Sequence, residues 1–364
     1  MTVLIDPWGS ILIEDYGKLI EEFGLELFNP ELFSNPNRLM RRRVAFAGQD
    51  LGLIAKCIKE KKPYYALSGI MPTSEKIHFG NKMVVENLSY FQQHGAKTYI
   101  LIADLESAAA RGVSVAEARK RALEFHIPAY IALGLDPNKT LFYFQSENTS
   151  VVKIAYEAAK KLTINEFRAA YGSDEPGRIM SAVTQIGDML FPQIEQRMPG
   201  VIPVGIDQAN HLRLCRDYVR KVRMQKFFLP SSIYHKFTPS LNGSFKMSKS
   251  EPDSAIELPE NMESVKRKIM KAVTGGRKTV EEHRKHGAEI EKDMVFELLK
   301  QHLIEDDKEL DNVYHDYKDG KILSSEIKQI AIEKMGKFMK TFERDLASAR
   351  KIVPKLKFVR FSKE

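Results

Sequence analysis

An open parallel α/β sheet of the nucleotide-binding type, followed by an all-helical region, is the fold class that this sequence of 364 residues predicts. Two observations carry the prediction. As far as Leu258, short apolar runs with strand character alternate with helix-length amphipathic segments, and strands joined by helical crossovers pair in parallel with helices on both faces. From Pro259 onward helix follows helix, with no convincing strand. The length is also large for one core, so a larger and a smaller domain are expected, and a hydrophobic content of 43% is enough to fill both.

The elements are expected in the following order. Residues 1–60, polar and basic around "NPNRLMRRR", form an N-terminal extension packed on the main domain, which spans 61–258. Within that domain "PYYALSG" reads as a buried strand, and a long amphipathic helix covers Lys76 to His94. A strand at "KTYILIADL" comes next, and then a helix from Val115 to Phe125, stopped before Pro128 because proline lacks the N–H a helix needs. A strand at "TLFYFQS", helices through Arg197, a strand at "VIPVGI" and a helix from Asp207 complete the alternation. Residues 259–364 form the helical domain.

Composition narrows the setting. Cys57 and Cys215 make neither a metal-spaced pair nor a disulfide framework, which fits a reducing compartment, and a cytoplasmic location is expected. No apolar run approaches the length of a bilayer span, and the first residues lack the layout of a secretory signal, so no membrane association is expected. A net charge of +8 favours a polyanionic partner without selecting one.

Two stretches carry chemistry. In "SGIMPTSEKIHFGN", Ser68 to Asn81, a strand ends, a Pro-Thr-Ser turn follows, and a His-x-Gly-Asn opens a helix whose positive N-terminus would face a phosphate. His78 and Asn81 can donate to phosphate oxygens, and Gly80 lets an adenine or ribose lie against the helix. The second is "SFKMSKSEPDSA", Ser244 to Ala255. Its ammonium groups would neutralise phosphate charge, and its hydroxyls and backbone N–H groups would complete the hydrogen bonds. Alone, the first is commoner as an ordinary helix start, and the second is as readily a solvated turn as a phosphate loop. Together, on a parallel-sheet pattern, they point to the phosphate of a nucleotide.

The pair resembles the two defining motifs of class I aminoacyl-tRNA synthetases, here His78-Phe79-Gly80-Asn81 and Lys246-Met247-Ser248-Lys249-Ser250. Further stretches resemble the tryptophanyl-tRNA synthetases: "LSGIMPTSEKIHFGN" and "IPVGIDQANHLRLCRD" are similar to the bacterial enzymes. "DPWGSILIEDYGKLIEEFG", "TGGRKTVEEHRKHG" and "LIEDDKELDNVYHDYKDGKILSSEIK" are similar to the archaeal and eukaryotic ones. The resemblance covers nearly the whole chain. It implies activation of L-tryptophan with ATP and transfer to tRNA(Trp), with His78, Asn81, Lys246 and Lys249 catalytic. ATP would be held by Thr73, Gly80, Gly205, Asp207, Gln208, Met247, Ser248 and Ser250, and Mg²⁺ would come with the ATP, without a dedicated carboxylate cage. It also implies a homodimer, built through the sheet domain near the helix after Asn81, and an anticodon-binding role for the helical domain.

The amino acid itself would be met by Leu67, Leu101, Glu106, Gln185 and Asp188. Eukaryotic and archaeal tryptophan enzymes place a tyrosine and a glutamine where this chain has Leu67 and Leu101, whereas the bacterial ones use an aspartate, matched here by Asp188. Tyrosine enzymes also carry that aspartate. They add a tyrosine at the position of Leu67, and a leucine with one carboxylate acceptor better suits an indole, which has one donor and a large apolar body. A tyrosine enzyme, an acid-activating nucleotidyltransferase without tRNA, and a catalytically inactive RNA-binding relative stand as alternatives.

Overall fold

The structure, a computed structural model, describes residues 16–222, 226–244, 247 and 253–360. Its strands are β1 (Glu26–Leu27), β2 (Ala45–Gln49), β3 (Tyr65–Ile70), β4 (Ile77–His78), β5 (Lys97–Ile102), β6 (Thr140–Phe144), β7 (Gly200–Gly205), β8 (Ser231–His235) and β9 (Glu257–Leu258). Seven of them form one sheet in the order β1-β2-β8-β7-β3-β5-β6, while β4 and β9 pair as a separate ribbon. The run from β8 to β6 is parallel throughout, and β1 and β2 extend it antiparallel beyond β8.

The parallel strands are buried on both faces, and β3 and β5 read as near-continuous apolar runs for that reason. The sequence pattern gives β3, β5, β6 and β7. It does not give β8 or β2. "SSIYH" opens on two serines that end up wholly buried, Ser231 donating through its hydroxyl to the Asp50 carbonyl at 3.0 Å. β2 follows three arginines and takes its strand character from pairing with β8. Part of the segment expected as an extension is therefore an edge of the main sheet.

Two helix boundaries also differ from expectation. The first begins at Phe79 rather than Lys76, because Ile77 and His78 are held as β4 against Leu258 and Glu257 of β9. The second does not stop before Pro128. The helix Val115–Arg121 passes through a π turn at Ala122–His126 and continues as Ile127–Ala132. Pro128 cannot donate to the Glu124 carbonyl four residues back, and the Arg350 guanidinium donates there instead at 3.3 Å.

From Met262 the chain is helical, ending in the long helix Ser324–Arg350. Its core is continuous with the main domain: Ile77, Phe79, Phe125, Ala129 and Met247 pack with Val265, Leu299, Met335 and Phe342. The chain then returns to the sheet. Val353 packs among the β6 residues Phe142 and Phe144, and the Val359 N–H donates to the Phe142 carbonyl at 2.8 Å, which covers the β6 edge. Among the described residues no helix is long and apolar enough to cross a membrane.

Candidate active site

In an open parallel sheet the ligand crevice lies beyond the strand C-termini, where the strand order reverses. Here that point is between β3 and β7, the two central strands whose crossovers run in opposite directions. A cavity of about 360 Å³ opens there. It is lined from β3 by Leu67 to Ile70, from β5 by Leu101, from β7 by Ile202, Val204 and Gly205 and from β8 by His235, with residues from the start of the helix Phe79–Gln93 completing the lining.

That helix start is built by its own residues. His78 is the N-cap: its Nδ1 accepts from the Gly80 N–H at 3.0 Å, while the Asn81 side-chain oxygen accepts from the His78 N–H at 3.2 Å. The reciprocal box stabilises the helix by about 1 kcal/mol. With Nδ1 accepting, a neutral His78 ring carries its proton on Nε2 and is a hydrogen-bond donor there. Gly80 has a requirement beyond the close approach read from sequence. A Cβ at this position would stand 2.8 Å from His78 Cε1, so a side chain would push the imidazole out of its cap.

The preceding turn is pinned by the helix with the π turn. Arg121 donates to the Thr73 carbonyl at 2.7 Å, and the His126 ring Nε2 lies 2.6 Å from the Ser74 carbonyl oxygen.

At the other end of the cavity stands a wall of buried polar groups. Glu106, Gln145 and Asp188 are each at most 3% exposed. The Gln145 amide donates to both carboxylates, to Glu106 at 2.6 Å and to Asp188 at 2.5 Å. Tyr143 donates through its hydroxyl to the other Asp188 oxygen at 2.8 Å. Ser181 and Gln185 donate to Glu106 at 2.7 and 2.6 Å. Burial, and then the charge of Glu106, push the Asp188 carboxyl well above the usual carboxylate range, and burial likewise raises Glu106. Each Asp188 oxygen has one protein donor, and a carboxylate offers about four lone-pair positions, so the group can accept another N–H.

Sequence reading brought out Glu106, Gln185 and Asp188 but missed Tyr143, Gln145 and Ser181. Gln145 directly follows β6, at the end of the strand where ligand-facing residues of a parallel sheet collect, and that position was the available signal.

Asp188→Asn tests this wall. Because the folded carboxyl titrates above its unfolded value, the stability it contributes is fully present below the unfolded value, near pH ~3.9, and is lost as pH rises through the folded one. The asparagine variant lacks that loss, so its stability relative to the parent should climb with pH, by up to ~1.4 kcal/mol per unit. Denaturant midpoints at several pH values measure it, and a pH-independent difference would contradict the shift.

Leu67 and Leu101, both buried, pack in one apolar cluster with Ile202 and Met189, and all four line the cavity together with Asp188. Thr73, Gly205, Asp207, Gln208 and Met247 line the same cavity. Asp207 lies in the short turn Ile206–Gln208 ahead of the helix Ala209–Lys221, and a Cβ on Gly205 would meet its Oδ1 at 2.5 Å. Lys246, Ser248, Lys249 and Ser250 lie outside the described residues. Among the described residues no group of three or more His, Cys, Asp or Glu side chains could hold a metal ion.

The model of the family "tRNA synthetases class I (W and Y)" matches residues 59–340. The chain is 38% identical to the tryptophan–tRNA ligase of Methanocaldococcus jannaschii over 97% of both chains. It is 39% identical to that of Aeropyrum pernix, again over 97% of both. The crystal structure of the tryptophanyl-tRNA synthetase from Aeropyrum pernix superposes with a TM-score of 0.88 at 38% identity, covering 98% of this chain and 100% of that one. This chain belongs to the class I tRNA synthetases of the tryptophan and tyrosine group, and the relatives it matches along nearly its whole length are tryptophan–tRNA ligases.

Proposed function

We propose that the cavity activates L-tryptophan with ATP and passes it to tRNA(Trp). The observation that carries the reading is one cavity that brings the apolar Leu67, Leu101 and Ile202 and the buried Asp188 together with a helix N-terminus capped by His78 and Asn81. An indole has one donor for Asp188 and an apolar body for the leucines.

The reaction needs no protein nucleophile. The amino-acid carboxylate oxygen attacks the α-phosphorus of ATP, the bond to the bridging oxygen breaks, and pyrophosphate leaves with that electron pair. A ribose hydroxyl of the tRNA 3′-terminal adenosine then attacks the acyl carbon, and AMP departs with the oxygen it shares. Catalysis is positioning and charge stabilisation. His78 donates to a phosphate oxygen, the helix N-terminus adds partial positive charge, and Asp207 and Gln208 hold the nucleoside beside Gly205. Lys246 and Lys249 neutralise the leaving pyrophosphate, with Met247, Ser248, Ser250 and Thr73 completing the phosphate contacts. Mg²⁺ enters as part of the ATP substrate. Transfer of labelled tryptophan to bulk tRNA, dependent on ATP, tests the whole sequence, and acceptance of label from another amino acid instead would contradict it.

The helical region supplies the tRNA surface. Lys337, Lys340 and Arg344 fall on one exposed face of the helix Ser324–Arg350, spaced at helical intervals. Reversing Lys340 and Arg344 to glutamate should weaken tRNA charging about tenfold or more and flatten its salt dependence, with pyrophosphate exchange unchanged. Arg350 is unsuited to that test because it holds the Glu124 carbonyl. Equal losses in both assays would refute a tRNA role for the face.

A homodimer and a cytoplasmic location complete the reading. The helix Phe79–Gln93 is buried along most of its length within the chain, whereas Val152, Tyr156 and Met180 are exposed on helices that pack together. That distribution supports a partner face on Thr149–Lys161 and Pro176–Leu190, away from the helix after Asn81.

A further inference from the structure

His302 belongs to the helical region, yet it reaches the cavity's framework at two points. Its ring lies against Phe79, the residue between His78 and Gly80, with centroids 4.3 Å apart and planes 30° from parallel. Its Nε2 is 2.9 Å from the Thr238 hydroxyl, and the Thr238 carbonyl accepts from the Met247 N–H at 2.9 Å. Phe79, Thr238 and Met247 all line the cavity, while His302 does not.

The imidazole is therefore a spacer between the helix start that carries His78 and the backbone that carries Met247. It is 1% exposed, and burial, reinforced by the cations Lys82 and Arg38, holds it well below the ordinary histidine range, so it acts here as a neutral ring. Among the described residues its Nδ1 has no hydrogen-bond partner, so the Thr238 contact is the polar one that orients it.

The backbone that delivers His302 is equally specific. It sits in a π turn, Leu299–Leu303, a departure from α-helix that leaves carbonyls without their usual donors. The Arg42 guanidinium takes the Lys300 carbonyl within it and the Ile304 carbonyl just past it, at 2.7 Å each, and is itself anchored by Asp307 at 2.7 Å. An N-terminal arginine thus fixes the turn that fixes His302. Such turns are frequent at functional sites.

We propose that His302 is a positioning residue for adenylate formation, setting the distance between the His78 helix start and the strand of chain at Thr238 and Met247. The role rests on the reading of the cavity as the adenylate site. Only the step in which both elements must contact one nucleotide depends on that spacing. Tryptophan, held at the Asp188 end, does not.

The test compares the parent with His302→Ala, His302→Gln and Thr238→Val in tryptophan-dependent ATP–pyrophosphate exchange, with rates referred to active-site concentration and tryptophan affinity measured separately at equilibrium. His302→Ala should lower kcat by about 10- to 100-fold while tryptophan affinity stays within about twofold. His302→Gln, which keeps a polar atom for Thr238, should recover part of the loss. Thr238→Val should lower kcat in the same direction, and the double variant with His302→Ala should be no worse than His302→Ala alone, because both remove one contact. If His302→Ala does not fold, the other two variants decide. Parental kcat in His302→Gln and Thr238→Val, or losses that appear equally in tryptophan affinity, would overturn the positioning role. A parent with no tryptophan-dependent exchange would contradict the adenylate site itself, and the positioning role with it.

Discussion

Lys249→Ala should slow tryptophan-dependent pyrophosphate exchange by about 10²–10³ while leaving tryptophan affinity without ATP nearly unchanged. The charge matters when pyrophosphate develops, so binding and catalysis should separate. Two residues before Lys249, Met247 lines the cavity, and eight residues after it Glu257 pairs with His78 across the β4–β9 ribbon. Both ends of the intervening chain are therefore tied to the proposed phosphate site. The end after Ala255 is held further by Lys268, buried, which donates to the Ala255 carbonyl at 2.7 Å and pairs with Glu260 at 2.5 Å. An exchange rate within about twofold of the parent would remove the phosphate role from Lys249.

Asp188→Ala should raise the KM for tryptophan by roughly 10- to 100-fold, since losing the acceptor leaves the indole N–H buried and unpaired, at about 1–3 kcal/mol. The network adds a second effect. Removing the carboxylate leaves the Tyr143 hydroxyl and one Gln145 N–H without their acceptor in a buried place, at about 1–3 kcal/mol of stability each. The KM and the unfolding midpoint should therefore both move. A tryptophan analogue with carbon in place of the indole nitrogen separates the two. It should be a poor substrate for the parent and lose little more with Asp188→Ala, because its hydrogen bond is missing from both. An equal proportional loss for the analogue and for tryptophan would mean that Asp188 only supports the wall.

The parallel core was legible because its strands are buried on both faces and read as apolar runs between helices. β8 and β2 were not, because buried serines and a short alanine-rich run gain strand character only from their partners. The continuation past Pro128 was illegible for a sharper reason. The carbonyl that proline leaves unsatisfied is answered by Arg350, more than two hundred positions away, and no local pattern encodes such a donor.

In the site, motif residues such as His78, Gly80 and Asn81 were readable from their spacing at a strand-to-helix junction. The supporting residues Tyr143, Gln145 and Ser181 carry no motif. They matter because a buried carboxylate must be hydrogen-bonded, and the identity of the donors appears only once the strand ends and helices are assembled around it.

The choice of amino acid is the centre of the account, and pyrophosphate exchange by the parent, run separately with tryptophan and tyrosine at matched concentrations, tests it most directly. A phenol hydroxyl both donates and accepts, and the cavity that Asp188 lines offers it Leu67 and Leu101 on the flanking strands. Tryptophan should support exchange and tyrosine should support it at least about a hundredfold less well. Exchange faster with tyrosine than with tryptophan would mean that Asp188 reads a phenol, and would contradict the assignment.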